Sequence, residues 1–92
     1  MATLRMDTDV AHSTQSGIVN TKSQLESLVK SMSGSVTGNL QQAWTGNSAT
    51  EFYGVYDQWQ SQMNNLLEQL GTLGSRLQTE ITEWENMSSK LA

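Results

Sequence analysis

Trp44-Thr45-Gly46, followed after Asn47 by Ser48-Ala49-Thr50-Glu51, stands at the middle of a 92-residue chain and separates two helical patterns. A bulky aromatic, a spacer and a glycine between two amphipathic stretches predict a hairpin corner. Gly46 can adopt the left-handed backbone that ends a helix, at little steric cost. Trp44 is placed to plug the gap where the two helices diverge. Ser48 and Glu51 have the spacing of a capping box, with Ser48 as N-cap of the second helix and Glu51 reaching back.

Downstream of this corner the pattern is strict. Ala49, Tyr56, Met63, Leu70, Leu77, Trp84 and Leu91 fill one heptad column, and Phe52, Trp59, Leu66, Leu73 and Met87 a companion column broken only by Glu80. Two apolar columns sustained over this many heptads are of coiled-coil grade. Tyr53, Leu67 and Ile81 widen the stripe on one flank, and a stripe wider than two columns suits a helix with more than one neighbour. Gly71 and Gly74, mid-helix, predict a close crossing with another helix.

Upstream the pattern is softer. Asp7 or Thr8 can cap the first helix, and Asp9 suits its positive first turn. Ala11, Ile18, Leu25 and Met32 recur every seven residues with Leu28 between them. The stripe then drifts by one position to Val29, Val36 and Ala43, with Leu40 alongside. Thr14 and Thr21 stand where larger side chains would pack better. Gly34 and Gly38 each weaken a helix by about 1 kcal/mol relative to alanine, yet Met32, Val36, Leu40 and Ala43 keep helical rhythm across them. The expectation is therefore an all-α chain forming a single domain over 1–92. It is an antiparallel hairpin of helices at about 8–43 and 48–88.

Such a hairpin leaves a broad apolar face. Only 36% of the residues are hydrophobic, little for a small self-sufficient core. Packing two hairpins face to face gives a four-helix bundle. The expected bundle core is Phe52, Tyr56, Trp59, Met63, Leu66, Leu70, Leu73 and Leu77 of the second helix with Ile18, Leu25 and Met32 of the first.

Composition narrows the functional classes. A net charge of −4 lacks the basic stripe of a nucleic-acid binder. The acidic polar surface also argues against stable membrane association by an amphipathic helix, and no apolar run reaches membrane-span length. With no cysteine and a single histidine, His12, neither a thiolate nor a paired-imidazole metal site can form, and no cofactor is expected. Glu80, Glu83 and Glu85 read as a solvated acidic face. No serine has a nucleophile's sequence setting, so a non-enzymatic interaction protein is expected. Through Gly46 the chain carries three acids and three bases, whereas the remainder carries six acids against Arg76 and Lys90. Several of those acids lie at the end of the second helix, where its dipole disfavours them. That points to a tail kept for recognition by another protein. Met1 to Val10 lacks the apolar core of a secretory signal peptide.

Trp-x-Gly at the centre of a cysteine-free chain of this length, with Ala49 and Phe52 following and heptads on both sides, resembles the WXG or ESAT-like family. These are small substrates of type VII (ESX/Ess-like) secretion systems, and the resemblance runs from about Met6 to Ser88. It implies a hairpin that pairs antiparallel with itself, or with a related WXG protein, into a four-helix bundle. It also implies export without a cleaved signal peptide, from the cytoplasm, by a machine driven by an FtsK/SpoIIIE-type ATPase. In the family the export signal joins the Trp-x-Gly corner of one protomer to a carboxy-terminal Tyr-x-x-x-Asp/Glu of the other. The corner carries over to Trp44 and Gly46. At the tail, Trp84 replaces the tyrosine and Ser88 the acid. This departure leaves open a second role, as an intracellular partner or chaperone of a larger type VII effector, exported only in a mixed complex. Tyr53-x-x-x-Asp57 matches the tail pattern by letters but lies at the start of the second helix.

Overall fold

The computed structural model describes residues 4–91, with side chains described through Met87. Two helical arms run antiparallel. The first comprises α1 (Thr8–Ser33), a π-helical segment (Gly34–Leu40) and the single turn α2 (Gln41–Ala43); the second is one helix, α3 (Asn47–Leu91). Asp7 is the N-cap of α1, its carboxylate accepting from the Val10 N–H at 3.2 Å, so one of the orphan donors of the first turn is satisfied. Without a proline to interrupt it, α3 continues unbroken for 45 residues. It begins one residue before the expected Ser48.

The heptads of α3 find their partner in the first arm. Ala49, Tyr53, Tyr56, Gln60, Met63, Leu67, Leu70, Gly74, Leu77, Ile81 and Trp84 are all buried or half-buried. Their spacing alternates between four and three without a break. One column is the expected one. The other is that of Tyr53, Leu67 and Ile81, which the sequence pattern suggests as a mere flank. The column of Phe52, Leu66, Leu73 and Met87 stays on the surface. The cause is visible at Gly74, where an added Cβ would stand 3.3 Å from the Ile18 Cγ2. The absence of a side chain there lets the arms close, and the same column carries polar Gln60. Gly71 serves similarly: its missing Cβ would meet the Nζ of Lys22 at 3.1 Å. The predicted close crossing lies at these two glycines.

On the first arm the inward residues are Thr8, Ala11, Gln15, Ile18, Lys22, Leu25, Val29, Ser33, Val36 and Leu40. Between Leu25 and Ser33 the step is four residues twice over, so the seam gains a residue. Ser33 turns inward and Met32 is left 46% exposed. The backbone absorbs this slip in the π segment, where the Gln41 N–H reaches five residues back to the Val36 carbonyl. Helical continuity through residues 33–39 holds, but not as an α ladder. Gly34 and Gly38 have little α-helical preference to lose, and the Thr37 hydroxyl donates to the Ser33 carbonyl.

The result is a rod of 68 × 23 × 17 Å, as long as the roughly 67 Å of a 45-residue helix. Its radius of gyration is 20.5 Å, against about 12 Å for a compact domain of this length. Among the described residues the buried apolar side chains are few: Val29, Val36, Ala49, Tyr56 and Ile81.

Glycines at different depths should respond oppositely to substitution. Gly54 faces open space inside α3, so Gly54→Ala should raise stability by about 1 kcal/mol. Gly74→Leu should lower it by about 1–3 kcal/mol, because the larger side chain forces Ile18 and the arms apart. Urea unfolding of both variants at one fixed protein concentration checks the pair.

Candidate functional site

At the corner, α2 ends because Trp44 swings to an extended conformation (φ −141°, ψ 117°), its N–H still bonded to the Leu40 carbonyl at 2.9 Å. Gly46 follows with φ +129°. Its positive φ is as the sequence suggests, but its place is not. It does not terminate the first arm; it turns the chain into α3, where its carbonyl accepts the Thr50 N–H at 3.0 Å and the Thr50 hydroxyl at 3.1 Å. The expected capping box is displaced accordingly, since Ser48 already lies inside α3.

Trp44 does not plug the divergence of the arms. That position belongs to Tyr53, whose hydroxyl lies 2.8 Å from the Trp44 carbonyl and 3.1 Å from the Leu40 carbonyl. A phenol has one proton to donate, shared here between the Trp44 carbonyl, which lies past the helix end, and the Leu40 carbonyl, which already accepts the Trp44 N–H and has a second lone pair free. Trp44 lies outside this, 37% exposed. Its ring is 6.0 Å from Tyr53, edge-on, and 5.7 Å from Phe52, while Phe52 and Tyr53 are 5.8 Å apart. The three rings form a mutually tilted cluster with an outward face. Sequence reasoning missed Tyr53. Two signals mark it: the four-three rhythm with Ala49 and Tyr56, and the need of the first arm's last carbonyls for a donor.

The other end of the rod holds the tail residues. Trp84 is half-buried in the seam, and beside it Glu85 lies 3.2 Å from the Nε2 of His12. Ser88 belongs to α3, but its side chain falls outside those described. Along α3, Trp84 lies about 55 Å from the start of the helix at the corner. Trp44 and Trp84 of one chain therefore cannot share a contact surface.

Between the ends, the two sides of the hairpin differ. One carries a shallow groove lined by Lys22, Glu26, Lys30, Gln60, Asn64 and Glu68. By helical periodicity the opposite side carries Thr14, Thr21, Leu28 and Met32 of the first arm with Phe52, Trp59, Leu66, Leu73 and Met87 of α3. Leu28, Met32, Phe52, Leu66, Leu73 and Met87 are all exposed, and Trp59 is half-buried, stacked on Tyr56 at 5.8 Å. The residues expected to form one core thus divide. Ile18, Leu25, Tyr56, Met63, Leu70 and Leu77 close the hairpin, while Met32, Phe52, Leu66 and Leu73 face outward. Glu80, on the same outward column, pairs with Arg76 at 3.0 Å. Among the described residues no cluster of three or more acidic or imidazole side chains could hold a metal ion. No described helix is long and apolar enough to cross a membrane.

With a Trp-x-Gly corner joining two long helical arms, comparison with known proteins is direct. The family model WXG100, proteins of 100 residues with WXG, matches residues 3–86, and the chain belongs to that family. Its members are small helical substrates of type VII secretion systems and generally form dimers. No curated protein and no solved structure matches the chain.

If Tyr53 seals the corner, Tyr53→Phe should cost about 0.5–1.5 kcal/mol, the net worth of a hydrogen bond. The urea midpoint should fall without a change in slope, and amide exchange should quicken selectively at residues 41–44.

Proposed function

We propose that this protein is a non-enzymatic type VII secretion substrate presented, folded, to an FtsK/SpoIIIE-type ATPase as an antiparallel dimer of two copies. The observation that carries it is the uncovered apolar side of the hairpin. The chain exposes 7,040 Å², where a compact monomer of its size exposes about 5,300 Å². An excess of this order on each of two chains is what obligate homodimer interfaces bury. Face-to-face packing of two such hairpins makes the four-helix bundle.

The separation of the two tryptophans supports the antiparallel sense. Only with the corner of one copy beside the tail of the other do Trp44 and Gly46 come near the partner's Trp84 and Ser88, the two halves of the family's export signal. Trp84 keeps an aromatic group at the tail. The absent carboxylate at Ser88 leaves the corner's exposed rings as the larger part of the recognition surface.

Two measurements test this. The melting temperature should rise with protein concentration, as for any assembly whose folding includes association. Trp44→Ala, which removes a ring already more than one-third exposed, should leave sedimentation dimeric while lowering the amount of protein in the culture medium. Export equal to the parent's refutes the role of the corner.

A further inference from the structure

We propose that Glu80 and Trp59 set the register of the self-paired rod, the carboxylate of each chain accepting a hydrogen bond from the partner's Trp59 indole N–H. This rests on the self-pairing proposed above and specifies its geometry.

Symmetry fixes which helices meet. When two flat hairpins stack face to face with corners at opposite ends, the two-fold axis runs across the arms and each arm lies antiparallel on its own copy. Helix α3 therefore packs on the partner's α3. The unbroken four-three burial from Ala49 to Trp84 means that the arms coil enough to keep a heptad column on one side. The column at 52, 59, 66, 73, 80 and 87 stays on the uncovered face for the same reason.

That column is self-complementary. Full overlap, centred on the middle of α3, pairs Phe52 with the partner's Met87, Leu66 with the partner's Leu73, and Trp59 with the partner's Glu80. Apolar meets apolar except at one pair, and there the column's only acid meets its only N–H donor. Within the chain, no hydrogen bond of the Trp59 indole is seen among the described residues. Stacking on Tyr56 at 28° holds its ring, and the Arg76 guanidinium 3.0 Å from Glu80 keeps that carboxylate neutralised as the face closes.

The rival registers fail at the same residue. Sliding one copy by a heptad, about 10 Å, keeps every other pair apolar. In one direction, however, it sets Glu80 against the partner's Leu66, and in the other against the partner's Phe52. Either leaves a carboxylate against hydrocarbon with no donor across the interface. A column wholly of apolar residues would not distinguish these registers. One polar position in an otherwise apolar seam fixes alignment at some cost in affinity.

The natural absence of cysteine makes cross-linking a clean reporter. In full overlap, Gln69→Cys lies beside its own copy and should oxidise readily to a disulfide-linked dimer. In either slid register the two cysteines stand about 10 Å apart along the axis, beyond disulfide reach. Glu80→Leu in this background should keep or tighten the dimer by sedimentation while lowering the cross-linked yield several-fold. Trp59→Phe should weaken dimerisation about a hundredfold or more, because each dimer loses two symmetry-related charge-assisted hydrogen bonds, and Glu80→Gln added to it should change little more. A sedimenting dimer whose Gln69→Cys variant does not cross-link overturns the register. So does unchanged cross-linking in Glu80→Leu, or independent effects of Trp59→Phe and Glu80→Gln. A chain that sediments as a monomer at all concentrations overturns the self-pairing itself, a result distinct from these.

Discussion

A rod of two helices has a single seam, and each helix can turn only one stripe toward it. Everything else in this chain follows from that limit. Ala49, Tyr56, Leu70, Gly74 and Ile81 bring the arms together, but a two-layer contact cannot enclose a side chain from all directions. Hence only five apolar residues are buried among those described. Five large apolar residues of α3, Phe52, Trp59, Leu66, Leu73 and Met87, lie one column away, on a side that the first arm does not cover. Exposed apolar area in a monomer of this size marks an interaction site rather than a fault of folding, and family membership gives that site its context.

The seam is also less apolar than a coiled coil's. Gln15, Lys22, Ser33 and Gln60 all occupy inward positions. Lys22 manages this by laying its stem over Gly71 while its ammonium reaches Glu26 at 3.6 Å, burying hydrocarbon and keeping the charge near water. The Tyr56 hydroxyl is buried without a partner among the described residues, a further cost in the same seam. These compromises make the isolated hairpin a marginal structure. They also explain why the apolar residues are richer on the outward column than on parts of the inward one.

Most of the architecture is legible in the sequence because heptad spacing and the absence of proline are local properties. The two arms, their lengths and the corner can be read from Ala49 to Trp84 and from Ala11 to Leu40. Which of two neighbouring columns closes the hairpin cannot, because the deciding residue is Gly74, whose contribution is a missing side chain. By residue type, Phe52, Leu66 and Leu73 outrank Tyr53, Gln60 and Gly74, so the pattern favours the wrong pair for the inward seam. The π segment is half legible: the drift of the stripe from Met32 to Val29, Val36 and Ala43 shows a change of column, but not that the backbone absorbs it over Gly34–Leu40. At the corner, Trp44 and Gly46 draw attention by type. The residue that holds the turn is Tyr53, and its partners are backbone carbonyls, which carry no sequence signature.

Register and recognition are one problem in a rod of this kind. The corner cluster and Trp84 lie at opposite ends of each chain, so any surface built from both must be assembled by alignment of two chains. A slide of one heptad would carry the tail about 10 Å along the axis, further than the 6 Å spacing within the Trp44, Phe52 and Tyr53 cluster. In full overlap the partner's Trp84 stands level with Val55, one turn beyond Phe52, where it can extend the aromatic surface of the corner. Val55 is 66% exposed and lies at the margin of the face proposed to close, so that surface stays open to a third protein. A polar pair that gives up some affinity to exclude slid registers is then understandable. In the proposed pairing, what it protects is less the stability of the bundle than the placement of one chain's tail against the other's corner.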